Sequence, residues 1–270
     1  MSKARILYVS QHMVPFLPET PMSALSRFLP QGAHDKGREI RVFMPRFGKI
    51  NERRHQLHEV IRLSGMNLSI DDVDHPLIIK VASIPKERIQ VYFIDNEEYF
   101  KRKSTFSDEN GKLHDDNDER AIFFAKGVIE TVKKLNWSPD IIHVHGWMAS
   151  LFPLYLKTYY KDEPVFENSK IVTSVYDKSF DESLNKKLVD KILFDEINED
   201  LIKGLKDPSY NNLMKNAIDF SDAIILGSQE IPSEVSDHLN ASKKPVLDYQ
   251  TRETFSETYT EFYKNEVLNQ

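Results

Sequence analysis

The chain has 270 residues, a formal net charge of −6 and no cysteine. The missing thiols exclude disulfides, thiolate metal sites and cysteine nucleophiles, and the acidic balance exerts no pull toward nucleic acid or an anionic membrane. Hydrophobic residues make up 40% of the chain, enough for a proper core. No apolar run approaches the roughly 18 residues of a membrane span, and the apolar part of MSKARILYVS is too short for a signal peptide. These features predict a soluble, cytoplasmic protein with no nucleic-acid or membrane partner.

The first apolar run, ARILYVS, predicts a buried strand over residues 6–10, and PFLPETPMSAL leads from it toward a helix. In a nucleotide-binding α/β protein, phosphates rest at this turn on backbone N–H groups that glycine keeps approachable. Here the first glycine is Gly32, and the turn carries Pro15, Pro18 and Pro21 instead. A second strand is predicted at 40–44. Three β-like pieces follow between residues 56 and 94, EVIRL, LIIKVAS and IQVYFI, and read as a hairpin excursion ending in a strand at 89–94. Residues 101–116 are polar and predict a loop. Ala121, Ile122, Ala125, Val128, Ile129 and Val132 recur at helical spacing, with Asp116 and Glu119 placed for a capping box.

Strands are predicted at Ile141–His145, 171–175 and Ala223–Leu226. Leu184, Leu188, Ile192, Ile197, Leu201 and Leu205 mark a second, highly charged helical region, whose charge reads as a solvated face or a docking face. KKPVLDY reads as a last strand started by Pro245. ETFSETYTEFYKNEVL reads as a helix with Phe255, Tyr259, Phe262, Tyr263 and Val267 at spacings of three and four. That stripe either finishes the core or binds a partner. The strands are apolar at consecutive positions, as in a parallel sheet covered on both faces. The predicted fold is therefore α/β, a single Rossmann-like doubly wound parallel sheet with a β-hairpin excursion. It comprises one domain over residues 1–250 and a C-terminal helix, 251–270, packing back on it.

Six stretches together resemble the N-terminal half of bacterial glycogen and plant starch synthases. They are ILYVSQHMVPF, GREIRVFMPRFG, VYFIDNEEYFKR, DNDERAIFFAKGVIETV, WSPDIIHVHGWMASLFPLYLK and AIDFSDAIILGSQEI, in the family's order and spacing. These enzymes transfer glucose from ADP-glucose to the non-reducing end of an α-1,4-glucan with retention of configuration. The resemblance implies half of a two-domain GT-B glycosyltransferase, with acceptor-glucan contacts mostly on this half. It places most ADP-glucose contacts on a second Rossmann-like domain, which 270 residues are expected not to accommodate.

The family's first loop reads Lys-x-Gly-Gly-Leu, and its lysine and glycines meet the donor phosphates. Counted from Pro15 and Phe16, the lysine position holds Pro18, the glycine positions hold Thr20 and Pro21, and the following aspartate is Ala24. Proline has no N–H and threonine resists positive φ, so this cradle is expected not to hold a pyrophosphate. The bland alternative is a rigid connector. The family's His-x-His-Asp-Trp-His is HVHGWM here. Gly146 replaces the aspartate and Met148 the histidine that lies against the donor glucose, and a thioether gives a sugar hydroxyl no strong hydrogen bond. His143 and His145 fall on one side of their strand; a metal reading of the pair lacks an evident third ligand. Trp147 reads as core or as sugar platform. Asn117 and Arg120 match the family's Asp-Asn-x-x-Arg-Phe, with Ala121 for the phenylalanine. They read as sugar-hydroxyl contacts, or as a plain helix start with Arg120 exposed or paired with a carboxylate. Tyr176 and Asp177 stand where the family has His-Asn, and GSQEI lacks the family's proline and tyrosine.

Asn117, Arg120, His143, His145 and Trp147 are thus the candidate sugar-site residues. Pro18, Thr20, Pro21, Gly146 and Met148 mark lost positions, and no catalytic residue, cofactor or metal is assigned. The resemblance implies a relative of glycogen synthase that is non-catalytic alone and binds an α-glucan or a protein, or regulates sugar storage. The alternatives are an active half completed by a separate donor-domain chain, and a scaffold reusing the fold.

Overall fold

The computed structural model describes residues 4–84, 87 and 89–268. Its strands are β1 (Arg5–Ser10), β2 (Glu39–Pro45), β3 (His58–Glu59), β4 (Met66–Ile70), β5 (Val73–Ser83), β6 (Gln90–Asp95), β7 (Ile141–His145), β8 (Lys170–Val175), β9 (Ala223–Leu226) and β10 (Val246–Leu247). The helices are α1 (Pro21–Asp35), α2 (Glu52–His55), α3 (Glu97–Phe100), α4 (Asn117–Leu135), α5 (Phe152–Lys157), α6 (Leu188–Phe194), α7 (Tyr210–Asp219), α8 (Ser233–Ser242) and α9 (Phe255–Phe262).

The sheet runs in the order β10-β9-β8-β7-β1-β2-β6-β5-β3, with β4 paired only to β5. From β10 to β6 neighbouring strands are parallel, and β5 turns antiparallel against β6. The apolar runs of β1 and β7 are buried at almost every position because helices cover both faces. The hairpin excursion is present but differently composed. EVIRL is mostly turn, with only Glu59 in β3, and the strand that pairs β5 is Met66–Ile70.

Crossover handedness decides which helices cover which face. The step from β1 to β2 and the step from β6 to β7 run in opposite directions across the sheet. Right-handed crossovers therefore place α1 on one face and α4 on the other. From β7 outward every step continues in the direction of β6 to β7, so α5, α7 and α8 join α4. The α1 face of β7, β8 and β9 would be bare without a further element, and α9 supplies it. Phe255, Tyr259, Phe262, Tyr263 and Val267 are all buried, the last two in the π-helical turn that ends the element. The two helices touch closely at Gly32, where a Cβ would lie 2.4 Å from Ser256 Oγ. Lys36 Nζ donates to Ser256 O at 3.0 Å.

Three local expectations are corrected. The second helical region is not continuous: it breaks at Glu196, with φ at +57°, and resumes as a 3₁₀ helix over Glu199–Lys206. A three-residue period buries Ile202 and Leu205 and turns Leu201 outward, 45% exposed. Asp116 and Glu119 form no capping box. Asp116 makes no side-chain cap bond and pairs with Arg102 instead, while Glu119 accepts from Lys191 and Tyr99. The charge of that helical region is also not all solvated. Lys191 is buried, 2.6 Å from both Asp118 and Glu119.

Candidate functional site

Strand order reverses at β1, so the crevice between the carboxyl ends of β1 and β7 is where this topology binds ligands. The loop after β1 reaches the crevice and leads into α1. Thr20 is the N-cap of α1: its Oγ1 accepts from Ser23 N at 3.1 Å, and Ser23 Oγ accepts from Thr20 N at 2.7 Å. Pro21 opens the helix with no N–H to give. The capping box engages Thr20 N and Ser23 N, and Pro18 and Pro21 have no N–H, which leaves the turn short of the donors that an anion would need. Beside this turn lies a mainly apolar cavity of about 150 Å³, lined by Pro21, Ala24, Phe28, Gly227, Tyr249 and Phe255 among others.

The crevice itself is filled by Gln11, which is 4% exposed. Its Oε1 accepts from Met148 N at 3.0 Å. Gly146 makes room for it, since a Cβ there would lie 2.3 Å from Gln11 Cδ, and φ at +86° suits only glycine. Met148 is fully buried. Trp147 is 2% exposed and packs between Phe106 and Phe180, with ring centroids 4.8 and 5.2 Å away.

His143 and His145 do share one side of β7, their ring centroids 3.9 Å apart. Both are fully buried beneath the C-terminal helix. His143 Nδ1 lies 2.6 Å from Tyr263 Oη and Nε2 lies 2.7 Å from Ser174 Oγ; His145 Nδ1 lies 2.8 Å from Tyr176 Oη. Among the described residues no group of three His, Cys, Asp or Glu side chains could hold a metal ion. Burial lowers the pKa of His143 well below 6.5, helped by His145, and lowers that of His145 to about 3. His12 is lowered to about 4, by burial and then by Lys49. As pH falls below 6.5 the unfolded chain takes up protons that the folded chain refuses. Stability is then expected to drop by about 1.4 kcal/mol per pH unit for each of these histidines, until the folded values are reached. Urea titrations at pH 7.5, 6.5 and 5.5 test this; equal midpoints would contradict the burial.

Asn117 and Arg120 lie together at the start of α4, both fully buried. Arg120 is neither exposed nor paired with a carboxylate. Its Nη1 donates to Asn117 Oδ1 at 2.6 Å, and Asn117 Nδ2 donates to Phe106 O at 2.8 Å. The rings of Phe47 and Phe100 face the guanidinium at 5.6 and 5.2 Å. Nε and Nη2 have no partner, at a cost of about 1–3 kcal/mol per unpaired buried donor. Burial, with Arg102 adding to it, brings the Arg120 pKa down to about 9. Tyr176 is buried, and its ring fills the space where a Cβ on Gly227 would sit, 2.4 Å from Cε1.

A family model described as the starch synthase catalytic domain matches residues 5–244. The chain belongs to that family. A glycogen synthase of Chlorobium limicola is 39% identical over 201 residues, covering 74% of this chain and 41% of the relative. One from Chlorobium luteolum is 35% identical over 232 residues, covering 86% of this chain and 47% of the relative. The chain thus spans about half the length of the curated relatives it matches. The catalytic domain of starch synthase IV from Arabidopsis thaliana, bound to ADP and acarbose, superposes with a TM-score of 0.76 at 15% identity, over 93% of this chain and 52% of that one. The fold is that of a GT-B glycosyltransferase catalytic domain, mixed α/β with a mostly parallel sheet. Gln11 and Ser23, which the motifs alone do not single out, are the residues that close the first loop and the crevice beside it.

Proposed function

We propose that this chain is a family member that does not transfer glucose from ADP-glucose by itself and acts instead by binding, as a glucan-recognising or regulatory relative of glycogen synthase. One observation carries the reading: in the loop that in the family cradles the donor phosphates, Thr20 N and Ser23 N are taken by the capping box and Pro18 and Pro21 have no N–H. The solved starch synthase IV domain was bound to ADP and acarbose; the side chains expected to make such contacts here, His143, His145 and Trp147, are turned into the core. Their burial favours a chain that kept the fold and lost the donor chemistry. The test is incubation of the purified chain with radiolabelled ADP-glucose and glycogen, with co-sedimentation on glycogen measured in parallel. The expected result is no label in polymer and retention of the protein on glycogen. Steady incorporation of label would overturn the non-catalytic reading, and absence of co-sedimentation would move the role from glucan to protein partner.

A further inference from the structure

The loop over residues 101–116 closes against the first turn of α4 and hides a cation with nothing to neutralise it. Arg120 is fully buried, yet three N–H bonds of its Nε and Nη2 reach no acceptor. Asp116, the carboxylate whose charge acts on Arg120, is engaged by Arg102, whose own Nε is also unpaired. Across the Phe47 ring stands His12, stacked on Phe106 at 5.1 Å, with its Nε2 likewise without a partner. His114 turns toward Ser104, 2.9 Å away. Arg102 and Asp116 offset each other, Asp118 and Glu119 are held by Lys191, and the Arg120 charge is left unmatched at the start of a 19-residue helix whose N-cap makes no side-chain bond. Proteins pair buried guanidinium groups or leave them exposed, because an unpaired one forfeits strong, charge-assisted hydrogen bonds.

We propose that this place, between the 101–116 loop and the start of α4, is a binding site for a phosphate-type oxyanion, free or carried on a sugar, with Arg120 as its inner contact and Arg102 at its mouth. A guanidinium fork with three free N–H bonds matches two oxygens of such a group side by side. Asn117 holds the fork in place through Nη1 and ties it to the loop through Phe106 O. The loop covers the guanidinium completely, so the anion enters when the loop lifts; it is tied to the rest of the chain by the Asn117 bond to Phe106 O, by Asn185 Nδ2 on Asp115 O and by the packing of Phe106 on Phe47, His12 and Trp147. This site lies beside the blocked crevice and does not depend on glucan binding.

The test is thermal denaturation of the full chain with inorganic phosphate, with glucose 1-phosphate, and with maltoheptaose, each against chloride at equal ionic strength. Phosphate or glucose 1-phosphate is expected to raise the Tm saturably; a larger effect of glucose 1-phosphate identifies a sugar-borne group, and equal effects identify free phosphate. Arg120→Met is expected to weaken the anion effect about ten-fold or more, while its Tm in chloride stays equal to or above that of the natural chain. A merely structural arginine would give the reverse, a lower Tm in chloride. Arg120→Lys, which keeps charge and loses the fork, is expected to fold and to bind about ten-fold more weakly. No saturable shift with either phosphate compound, or unchanged binding by Arg120→Lys, would overturn the site. Maltoheptaose reports on glucan binding separately, so either reading can fail alone.

Discussion

A chain shortened to end at Gln250 is expected to lose its native fold at 25 °C. The reason lies in the sheet rather than in the tail alone. All crossovers from β7 outward place their helices on the α4 face, so α9 is the cover for the opposite face of β7 and β8. Removing it deletes Phe255, Tyr259, Phe262, Tyr263 and Val267, each buried to 6% exposure or less, and uncovers the sheet face they pack on. At about 1.5–3 kcal/mol per buried apolar side chain the loss is on the order of 10 kcal/mol, comparable with the whole stability of an ordinary domain. It also strips Tyr263 from His143 and opens that imidazole to water. Circular dichroism and urea denaturation of the shortened chain check this. A cooperative transition at the same urea midpoint as the full chain would show that α9 is an appendage and not part of the core.

Lys126→Met is expected to cost about 3–5 kcal/mol, the loss seen when one partner of a buried ion pair is removed. Lys126 Nζ lies 2.6 Å from Asp195 Oδ1, with both side chains at or below 6% exposure. It also donates to Ser69 O at 2.8 Å, and Tyr155 Oη donates to Asp195 Oδ2 at 2.8 Å. One ammonium therefore fastens α4 to the end of β4 and to the turn after α6. With the lysine gone, Asp195 is left charged in the interior with only a tyrosine hydroxyl. The double variant Lys126→Met with Asp195→Leu is expected to recover about 2 kcal/mol or more relative to the sum of the single losses. Additive losses in that cycle would mean that the two groups are solvated and do not act as a pair.

The parallel strands were legible because burial on both faces leaves no polar alternation. Residues such as Ile141, Ile142 and Val144 announce themselves without help from a partner. Met66–Ile70 was not, since Asn67 and Ser69 interrupt it and only its pairing with β5 makes it a strand. The 3₁₀ segment was misread because Ile197, Leu201 and Leu205 happen to fit a four-residue step, while the backbone follows three. At the site, Pro18, Thr20, Pro21, Gly146 and Met148 stood out only by resemblance to the family's motifs, as residues with a chemistry unlike the ones expected there. The partners that complete the closure did not. Thr20 followed three residues later by Ser23 has capping-box spacing and offered a signal, but nothing local says that Gln11 will fill the crevice beside Gly146. Arg120 shows the same limit. An arginine in the first turn of a helix ordinarily faces water, and only the convergence of Phe47, Phe100 and the 101–116 loop buries it.

Titration of this chain with ADP-glucose by calorimetry probes the closed loop most directly, followed by crystals grown with the nucleotide sugar at millimolar concentration. A turn with Thr20 N and Ser23 N engaged and proline at 18 and 21 should give no saturable heat, and its crystals should show Thr20 still bonded to Ser23. A saturable isotherm together with a diphosphate seated on main-chain amides of residues 18–21 would contradict the account at its root.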